Sequence, residues 1–180
     1  MKKYGILFAF FLTLAACASD SDKKNTPTEP AKPEIKTDNL ICPQVAILQE
    51  AQEVMDYGGE KANPAQLVAK ARLKSVEGDC AYRTKDNKSG IDIKFTLHEV
   101  AERGSRLGGD QVTFPYFIAI ADPDDNVIDR QVMTAQITFK GDDKVTEQDE
   151  HLHVFIPLKP DVLLAGPSYR VLIGFKKVAH

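Results

Sequence analysis

Apolar and polar residues alternate with a period of two over most of the chain beyond residue 40, and this spacing is typical of β-strands with one buried face. In the segments 91–97, 152–158 and 169–175, every second residue is apolar. The segment 114–121 is instead apolar at almost every position, as expected for a strand covered on both faces. Pro115, near its start, must then lie where no ladder hydrogen bond is needed. The pattern predicts a mainly β domain.

The residues after this apolar segment predict a hairpin. Asp122-Pro-Asp-Asp-Asn126 has the composition of a turn, which would join strand 114–121 to a second arm at 127–139. Within that arm the alternation is interrupted. Ile128 and Val132 have even numbers and would lie on one face, whereas the later apolar residues have odd numbers and would lie on the other. A bulge near Val132 would reconcile the two phases.

Two segments are ambiguous between helix and strand. Asn63 followed by proline could cap a helix. Residues 69–74, however, alternate Ala and Leu with Lys and Arg, and a helix would scatter those charges around its axis. We therefore predict a strand that continues through a break at Gly78 to Tyr82. The segment 49–57 is compatible with a short helical turn.

About seven strands within residues 41–180, separated by turn signals, predict one domain built as an antiparallel two-sheet sandwich. The acidic stretch 141–150 is expected to be a loop of this domain. Gly166-Pro-Ser-Tyr169 and the alternating apolar residues that follow resemble the late strands of immunoglobulin-like and fibronectin type III domains. The resemblance implies that Tyr169 forms a tyrosine corner by bonding its hydroxyl to nearby backbone, although the chain has no tryptophan for the usual core position.

The first 16 residues predict a secretory signal peptide, since two lysines precede a short apolar run from Gly5 to Ala16. A membrane-spanning helix needs about 20 apolar residues, so this run is too short to be one. It ends in Leu14-Ala15-Ala16-Cys17, which resembles the lipobox of bacterial lipoproteins. The resemblance implies cleavage before Cys17 and lipidation of that cysteine, which would anchor the protein to a membrane. The alternative is an ordinary cleaved signal with an incidental cysteine.

Residues 17–40 are polar and contain three prolines, so they predict a lipidated, disordered linker that extends away from the membrane. At about 3.1 Å per residue, it could reach on the order of 60–70 Å. Ala18 follows the lipidated cysteine, whereas an aspartate there would resemble the signal that retains lipoproteins in the inner membrane of many Gram-negative bacteria. Its absence favours the periplasmic face of the outer membrane.

Charge and cysteine content narrow the partners and the compartment. Loss of two lysines with the signal changes the formal charge from −3 to −5, because 21 basic side chains then face 26 acidic ones. This balance gives no electrostatic reason to bind nucleic acid or anionic lipid. With Cys17 assigned to the lipid, Cys42 and Cys80 remain, and an even pair in an exported domain predicts a disulfide. Their separation of 38 positions excludes a C-x-x-C redox motif.

The domain as a whole resembles a family of uncharacterised envelope lipoproteins of Gram-negative bacteria. The residues that carry this resemblance are Cys42-Pro-Gln-Val-Ala-Ile-Leu48, Gly78-Asp-Cys-Ala-Tyr82 and Phe114-Pro-Tyr-Phe117. The resemblance implies a place in the cell envelope and carries no assigned activity.

His151 and His153 are candidate ligands for a metal, because alternate residues of a strand share one face and lie about 6.5–7 Å apart along it. With Glu150 or His98 nearby, they could bind zinc or copper, which need several ligands at about 2 Å. The alternative is a polar strand face turned to solvent, opposite the apolar face that contains Leu152.

Two loops have weaker chemical interpretations. Asp122, Asp124 and Asp125 could suggest calcium, but they lack the ligand order of an EF-hand loop and fit a hairpin turn better. The segment 103–110 contains two arginines and three glycines that could hold a phosphate or a carboxylate. It follows neither the P-loop nor the dinucleotide-binding motif, so a loop between strands is the better interpretation.

Ser105, His98 and Asp110 supply the residue types of a hydrolase triad, but no G-x-S-x-G elbow surrounds the serine. We therefore predict no catalytic residue, no cofactor and no metal. The expected function is that of a non-catalytic, membrane-anchored envelope lipoprotein that binds a protein partner, as an accessory subunit of an outer-membrane or periplasmic complex. The alternatives are a periplasmic ligand or metal carrier that uses His151 and His153, and a hydrolase.

Overall fold

The computed structural model of the protein describes residues 41–59, 63–85 and 88–177. The predicted signal peptide, the lipidation site at Cys17 and the predicted linker at 17–40 lie outside the described residues. Among the described residues, no helix has the length and apolar character that crossing a membrane would need.

Strands make up most of the described chain. They are β1 (Gln44–Ile47), β2 (Glu53–Asp56), β3 (Ala69–Lys85), β4 (Lys88–Arg103), β5 (Gln111–Ala121), β6 (Val127–Thr138), β7 (Val145–Pro157) and β8 (Arg170–Phe175). The helical segments are of the 3-10 type and span Gln49–Ala51, Pro64–Gln66 and Pro160–Ser168.

The strands form two four-stranded sheets. The first sheet has the order β1-β8-β5-β6 and the second has the order β2-β3-β4-β7. The prediction of a mainly β two-sheet sandwich is therefore confirmed. Neighbouring strands are antiparallel except β1 and β8, which pair in parallel from Gln44↔Arg170 to Ile47↔Ile173. This parallel pair was not predicted, because alternation indicates a strand but not the direction of its neighbour.

The core lies between the sheets and follows the predicted alternation. Every second residue of β4 from Ile91 to Leu97, and of β7 from Leu152 to Ile156, is buried. On β5 the residues that face away from the core, Ala119 and Ala121, are also buried, which explains why this strand is apolar at successive positions. Pro115 lies one residue beyond the last pair of β5 with β8. Its carbonyl accepts a hydrogen bond from the Lys176 backbone N–H at 2.8 Å, so the missing N–H of the proline falls where this ladder ends.

The choice of a strand for residues 69–82 is confirmed by β3. Asn63 does cap a helical segment, since its side chain accepts a hydrogen bond from the backbone N–H of Ala65, but that segment is only three residues long. The expected break at Gly78 is wrong, because β3 runs continuously through it and its register shifts between Leu73 and Ser75 instead. Glycine serves close packing here, since a Cβ on Gly78 would come within 2.6 Å of the Phe95 Cβ.

The hairpin of β5 and β6 is confirmed, but its bulge is not near Val132. Ile120 pairs with Asp129 and Ala121 pairs with Val127, so the extra residue is Ile128, directly after the turn. The six residues of β6 from Val127 onward are exposed irrespective of parity. Because these residues do not pack against the core, the positions of the apolar residues among them do not indicate where the bulge lies.

The expected loop at 141–150 is shorter than predicted, because β7 begins at Val145. Val145 pairs with Glu102 and Glu150 pairs with Leu97, so the first half of β7 is part of the second sheet. The residues of this half that point toward the core are Thr146, Gln148 and Glu150. Because all three are polar, the sequence shows no alternation of apolar and polar residues here.

The predicted disulfide between Cys42 and Cys80 is present, with the Cα atoms 5.7 Å apart. Cys42 precedes β1 of the first sheet, whereas Cys80 lies on β3 of the second sheet. The bond therefore joins the two sheets covalently. The hydroxyl of Tyr82 donates a hydrogen bond to the Ile41 carbonyl at 3.1 Å beside this bond. For Tyr169, by contrast, the hydrogen bond found among the described residues is from its backbone N–H to Gly166, not from its hydroxyl.

Candidate functional site

The outward face of the second sheet carries three histidines on the neighbouring strands β4 and β7. His98 lies on β4, and His151 and His153 occupy alternate positions of β7, so the latter two share one face as predicted. Glu150 is adjacent to His151 in sequence but has the opposite parity, and one of its carboxylate oxygens is fully buried. The expected ligand set of Glu150 with the two histidines is therefore not formed.

Each of these histidines already has a polar partner on the neighbouring strand. The pairs are His98 with Asp149 (Nδ1–Oδ1 2.7 Å), His151 with Thr96 (Nδ1–Oγ1 3.0 Å) and His153 with Asp92. Within the described ranges, no group of three or more His, Cys, Asp or Glu side chains is placed to hold a metal ion. The histidines thus form a row of cross-strand pairs rather than one converging site.

A shallow pocket of about 350 Å³ lies at one end of this row. It is lined by Arg83, Thr84, Asp92, Lys94, His153 and Phe155. Asp92 is the acidic member, and its side chain is 12 % exposed. The hydrogen bond with His153 is the main reason that the pKa of Asp92 is lowered, although burial acts to raise it. The positive charges of Arg83 and Lys94 also lower this pKa. Asp92 therefore neutralises much of the positive charge in this pocket.

Arg103, a residue of the candidate anion-binding loop, donates four hydrogen bonds to groups of the protein. Its guanidinium donates hydrogen bonds to the carbonyls of Asp143, Gly109 and Gly141 and to the Asp110 carboxylate, at 2.9–3.0 Å. It also lies over the Phe139 ring, 4.8 Å from the centroid. Arg103 therefore fastens two loops to each other, and its donors are not directed at a ligand.

The aspartates at 122–125 form the predicted turn. The Asp122 carboxylate accepts hydrogen bonds from the backbone N–H groups of Asp124 and Asn126 at 3.0 and 2.9 Å. The hydrogen bond from Asn126 is the main reason that the pKa of Asp122 is lowered. Asp125 has φ of +66° and forms an ion pair with Arg170. These interactions are those of a turn, because the carboxylates of Asp122 and Asp125 both bind groups of the protein itself.

The residues considered as a hydrolase triad are each held by a different partner. The Ser105 hydroxyl donates to the Ala65 carbonyl at 3.3 Å, and Asp110 is bonded to Arg103. His98 is bonded to Asp149. The serine, histidine and aspartate are therefore not linked in the sequence of hydrogen bonds that nucleophile activation requires.

A second cluster of polar groups lies inside the sandwich and was not predicted from the sequence. Its centre is Glu99 on β4, whose side chain is among the largest fully buried side chains of the protein, with 1 % of the residue exposed. Gln148 on β7 donates a hydrogen bond from Nε2 to Glu99 Oε2 at 2.8 Å. The other oxygen, Oε1, has no hydrogen-bond partner, and the same is true of the buried Oε2 of Glu150.

The environment of Glu99 strongly favours its neutral form. Burial raises its pKa to about 7, and the negative charge of Glu150 acts in the same direction. The hydrogen bond from Gln148 opposes the shift but does not cancel it. The opposite sheet contributes Tyr116, whose pKa is raised mainly by burial and also by the neighbouring carboxyls of Glu150 and Glu99. The Tyr116 hydroxyl also lies 3.5 Å from the Met133 sulfur.

The long outer strands of the two sheets differ in character. β6 is the outer strand of the first sheet, and its Val127, Ile128 and Val132 are 59, 50 and 55 % exposed. Arg130 lies over the Phe117 ring on the same strand pair, 4.5 Å from the centroid. β7 is the outer strand of the second sheet, and its exposed residues are mostly charged or imidazole side chains.

Comparisons with protein-family models, with curated proteins and with solved structures find no match for this chain.

The sequence did contain one signal for the buried cluster. Glu99 lies on the same face of the strand as the apolar Ile93, Phe95 and Leu97, and Ala101 follows it on that face. An acid at a position where alternation demands an apolar residue is a candidate for burial. The exposed edge of β6 could not be predicted in this way, because the alternation of apolar and polar residues does not determine the order of the strands in a sheet.

Proposed function

We propose that the protein is a non-catalytic lipoprotein of the cell envelope, anchored by a lipid on Cys17 at the periplasmic face of the outer membrane, and that its sandwich binds a protein partner. The lipobox-like Leu14-Ala15-Ala16-Cys17 and the polar, proline-bearing segment 17–40 support the anchor and the tether. The observation that carries the partner hypothesis is the exposed, apolar outer strand β6.

An outer strand leaves one row of backbone N–H and C=O groups unpaired, and such a row can accept a strand from another protein. β6 is 12 residues long, so it offers a long row. Soluble proteins commonly protect such edges with charged side chains or proline. The first half of β6 has Asp129 and Arg130 of this kind, but it also exposes the apolar Val127, Ile128 and Val132.

The other sheet edges are poorer docking sites. β1 and β2, which lie at the opposite edges of the two sheets, have only four residues each. β7 is long, but Glu147 and Asp149 are exposed on its first half. Since like charges on adjacent strands destabilise their pairing, these carboxylates would disfavour a partner strand of ordinary acidic composition.

The occupant we propose for β6 is an extended segment of another envelope protein with alternating apolar residues and little net charge. β6 carries one acid, Asp129, and one base, Arg130, so the strand has no net charge with which to select a charged peptide. Selection would then rest on backbone hydrogen bonds and on apolar contacts with Ile128 and Val132.

The test uses a photocrosslinking amino acid placed at position 132 in the full chain, in cells of the native host, with position 145 as the matched control. Val145 is 53 % exposed on β7, which makes it comparable to Val132. We expect position 132, but not position 145, to crosslink to one protein. After purification, that protein should slow amide exchange in β6 when it is mixed with the chain, and the double substitution Ile128→Lys and Val132→Lys should abolish the effect.

Three results would overturn the β6 hypothesis. They are equal crosslinking from both positions, a crosslink only to a second copy of this chain, and slowed exchange in a region other than β6. Val145→Lys serves as the control for the added charge, and it should leave binding unchanged.

The anchor is tested separately by mass spectrometry of the mature protein. We expect the first residue to be Cys17 carrying three acyl chains, and we expect the protein in the outer-membrane fraction. Cys17→Ser should prevent both lipidation and processing at this position. An unmodified Cys17, or a mature N-terminus at another residue, would contradict the anchor without bearing on β6.

The alternative of a periplasmic ligand or metal carrier rests on His151 and His153, which share the outward face of β7. Elemental analysis of protein purified without a histidine tag distinguishes it. Stoichiometric zinc or copper that disappears after His151→Ala and His153→Ala would favour the carrier. A metal-free protein that binds its partner would favour the proposal above.

A further inference from the structure

Two carboxyl groups lie together inside the sandwich without a cationic partner. Glu99 pairs with Gln148 across β4 and β7, and Glu150 pairs with Leu97, so the two glutamates are diagonal neighbours on the core side of the sheet. Diagonal neighbours are separated by about 7–8 Å at the backbone, a distance that two glutamate side chains readily bridge. Each carboxylate has one buried oxygen without a hydrogen-bond partner.

We propose that one proton is held between Glu99 and Glu150, that it keeps the first half of β7 on the sandwich, and that its loss as the pH rises releases Val145–Glu150 from β4. The inference is independent of the proposed partner. It depends only on this buried cluster and on the way that β7 is attached.

The groups that face the carboxyl pair come from all the strands around it. β7 contributes Gln148, which already donates to Glu99. The first sheet contributes the Tyr116 hydroxyl and the Met133 sulfur, and β3 contributes Leu73, which is opposite Glu99 in the register. The charge acting on Glu99 is that of Glu150.

The nearest arginine on this side of β4 does not compensate the pair. Arg103 lies two inward positions further along the strand, and its donors are used by the carbonyls of Asp143, Gly109 and Gly141 and by Asp110. His98 and Asp149 lie on the outward face, where they bond to each other. The pair therefore has no described cation to balance two negative charges.

A proton fits this cluster better than a metal ion does. Calcium binds six to eight oxygen ligands and magnesium takes six. Among the described residues, the groups shown at the cluster are two carboxylates, the Tyr116 phenol, the Met133 thioether and the Gln148 amide, which are too few oxygens for either ion. One proton, in contrast, needs only the two unpartnered oxygens, and it removes the cost of a second buried charge.

The first half of β7 is held by backbone pairing with β4 and by polar contacts rather than by apolar packing. The exposed contacts of this half join Asp149 to His98, Glu147 to Lys74 and the Thr146 hydroxyl to the Thr138 carbonyl. Its core-facing residues Thr146, Gln148 and Glu150 are polar and only partly buried, whereas the second half is held by the buried Leu152, Val154 and Ile156. When both carboxyls are ionised, their repulsion acts at the junction of the two halves. Opening is therefore expected to stop near Leu152.

The effect of pH on opening has a definite sign. In the closed state the pKa of Glu99 is about 7, and in an opened, solvated state it returns toward its ordinary value. The opened state thus binds fewer protons at intermediate pH, so opening becomes more favourable as the pH rises. The opening constant should increase by about tenfold per pH unit between pH 5 and pH 7 and level off above pH 7.

The first test is the titration of side-chain carboxyl signals by NMR in the full chain labelled with ¹³C-glutamate. We expect one carboxyl with a midpoint near pH 7, absent in Glu99→Gln and shifted to lower pH in Glu150→Gln. Glu102→Gln, an exposed acid on the same strand, is the matched control and should leave that signal unchanged. Midpoints near the ordinary value for both Glu99 and Glu150 would overturn the proposal.

The second test is amide exchange of Val145–Glu150, corrected for the intrinsic effect of pH. We expect a rise of at least tenfold between pH 5 and pH 7, confined to this half of β7, and a pH-independent rate in Glu99→Gln, which mimics the protonated form. Should Glu99→Gln not fold, Glu150→Gln is compared instead, and there the rise should be smaller than in the wild type, because burial alone then raises the pKa of Glu99. An equal rise in the wild type and in both variants would overturn the proposal, as would a rise that extends to Leu152–Pro157.

Discussion

The disulfide between Cys42 and Cys80 should contribute a large part of the stability of the sandwich. It closes a loop of 38 positions, and chain-entropy arithmetic for a loop of this length gives about 4 kcal/mol at 25 °C. Domains of this size typically have about 5–15 kcal/mol of total stability. Loss of the bond should therefore move the unfolding transition substantially without abolishing the fold.

The location of the bond indicates what its loss does locally. Cys42 is two residues before β1, a strand of four residues whose neighbour within the sheet is β8. Cys80 lies on the long strand β3 and packs against the core. Without the bond, β1 keeps its parallel pairing with β8 but loses its covalent link to the second sheet, so it should become the first strand to exchange its amide protons.

The assay is urea unfolding of the full chain followed by circular dichroism, with Cys42→Ser, Cys80→Ser and the double variant. We expect the free energy of unfolding to fall by about 4 kcal/mol in the double variant, with a larger slope against urea because the unfolded chain is less constrained. Cys42→Ser retains the Cys80 side chain in its packed position and isolates the loss of the cross-link. A loss below about 1 kcal/mol in Cys42→Ser, with the full loss in Cys80→Ser, would refute the reasoning by assigning the effect to packing.

Three further perturbations probe other parts of the fold. Gly78→Ala should destabilise the protein by about 1–3 kcal/mol in thermal unfolding, because the added Cβ meets the neighbouring strand at Phe95, whereas Gly108→Ala, which meets no atom within 4 Å, should change little. Arg103→Ala should cost about 2–4 kcal/mol through its lost hydrogen bonds and should accelerate amide exchange in the two loops that it joins. Raising the pH from 4.5 to above 7 should lower the wild-type unfolding free energy by about 3 kcal/mol, because the folded pKa of Glu99 is raised to about 7, and Glu99→Gln should remove this dependence.

The sequence predicts the strands well wherever one face of a strand meets the core. β4 and β8 are predicted by alternation, since each has buried apolar residues at every second position, whereas β5 is predicted by a run that is apolar at almost every position. The decision for a strand at β3 also followed from alternation, and the Cys42–Cys80 bond followed from the number of cysteines in a chain with an export signal. In these cases the local pattern and the tertiary environment agree.

The errors occur where burial does not follow apolar character. The first half of β6 has no opposite sheet to cover it, so its apolar residues did not report the position of the bulge. The first half of β7 is covered, but by polar side chains that include Glu150, so it resembled a loop. Which residues oppose each other across the sandwich depends on register and on sheet order, and neither property can be read from a periodicity of two.

The candidate sites show the same limit. The shared face of His151 and His153 was predictable, because it depends only on strand geometry. The partner of each histidine was not predictable, since Asp92 and Thr96 lie more than 50 positions away in the chain and meet them only through the pairing of β4 with β7. The same pairing turns Glu150 away from the histidines and toward Glu99.

The two long outer strands are held to the sandwich by different physical means. The second half of β6 is fixed by the burial of Ala135 and Ile137, and its exposed first half can offer apolar side chains to a partner without loosening the core. The first half of β7 buries no apolar side chain against the core, and we infer that its polar attachment is strengthened by the proton on a buried acid pair centred on Glu99. Neutral, well-packed apolar side chains at such positions commonly stabilise a fold as well as or better than buried charges do. The acid pair is therefore better understood as making this edge responsive to pH than as strengthening it.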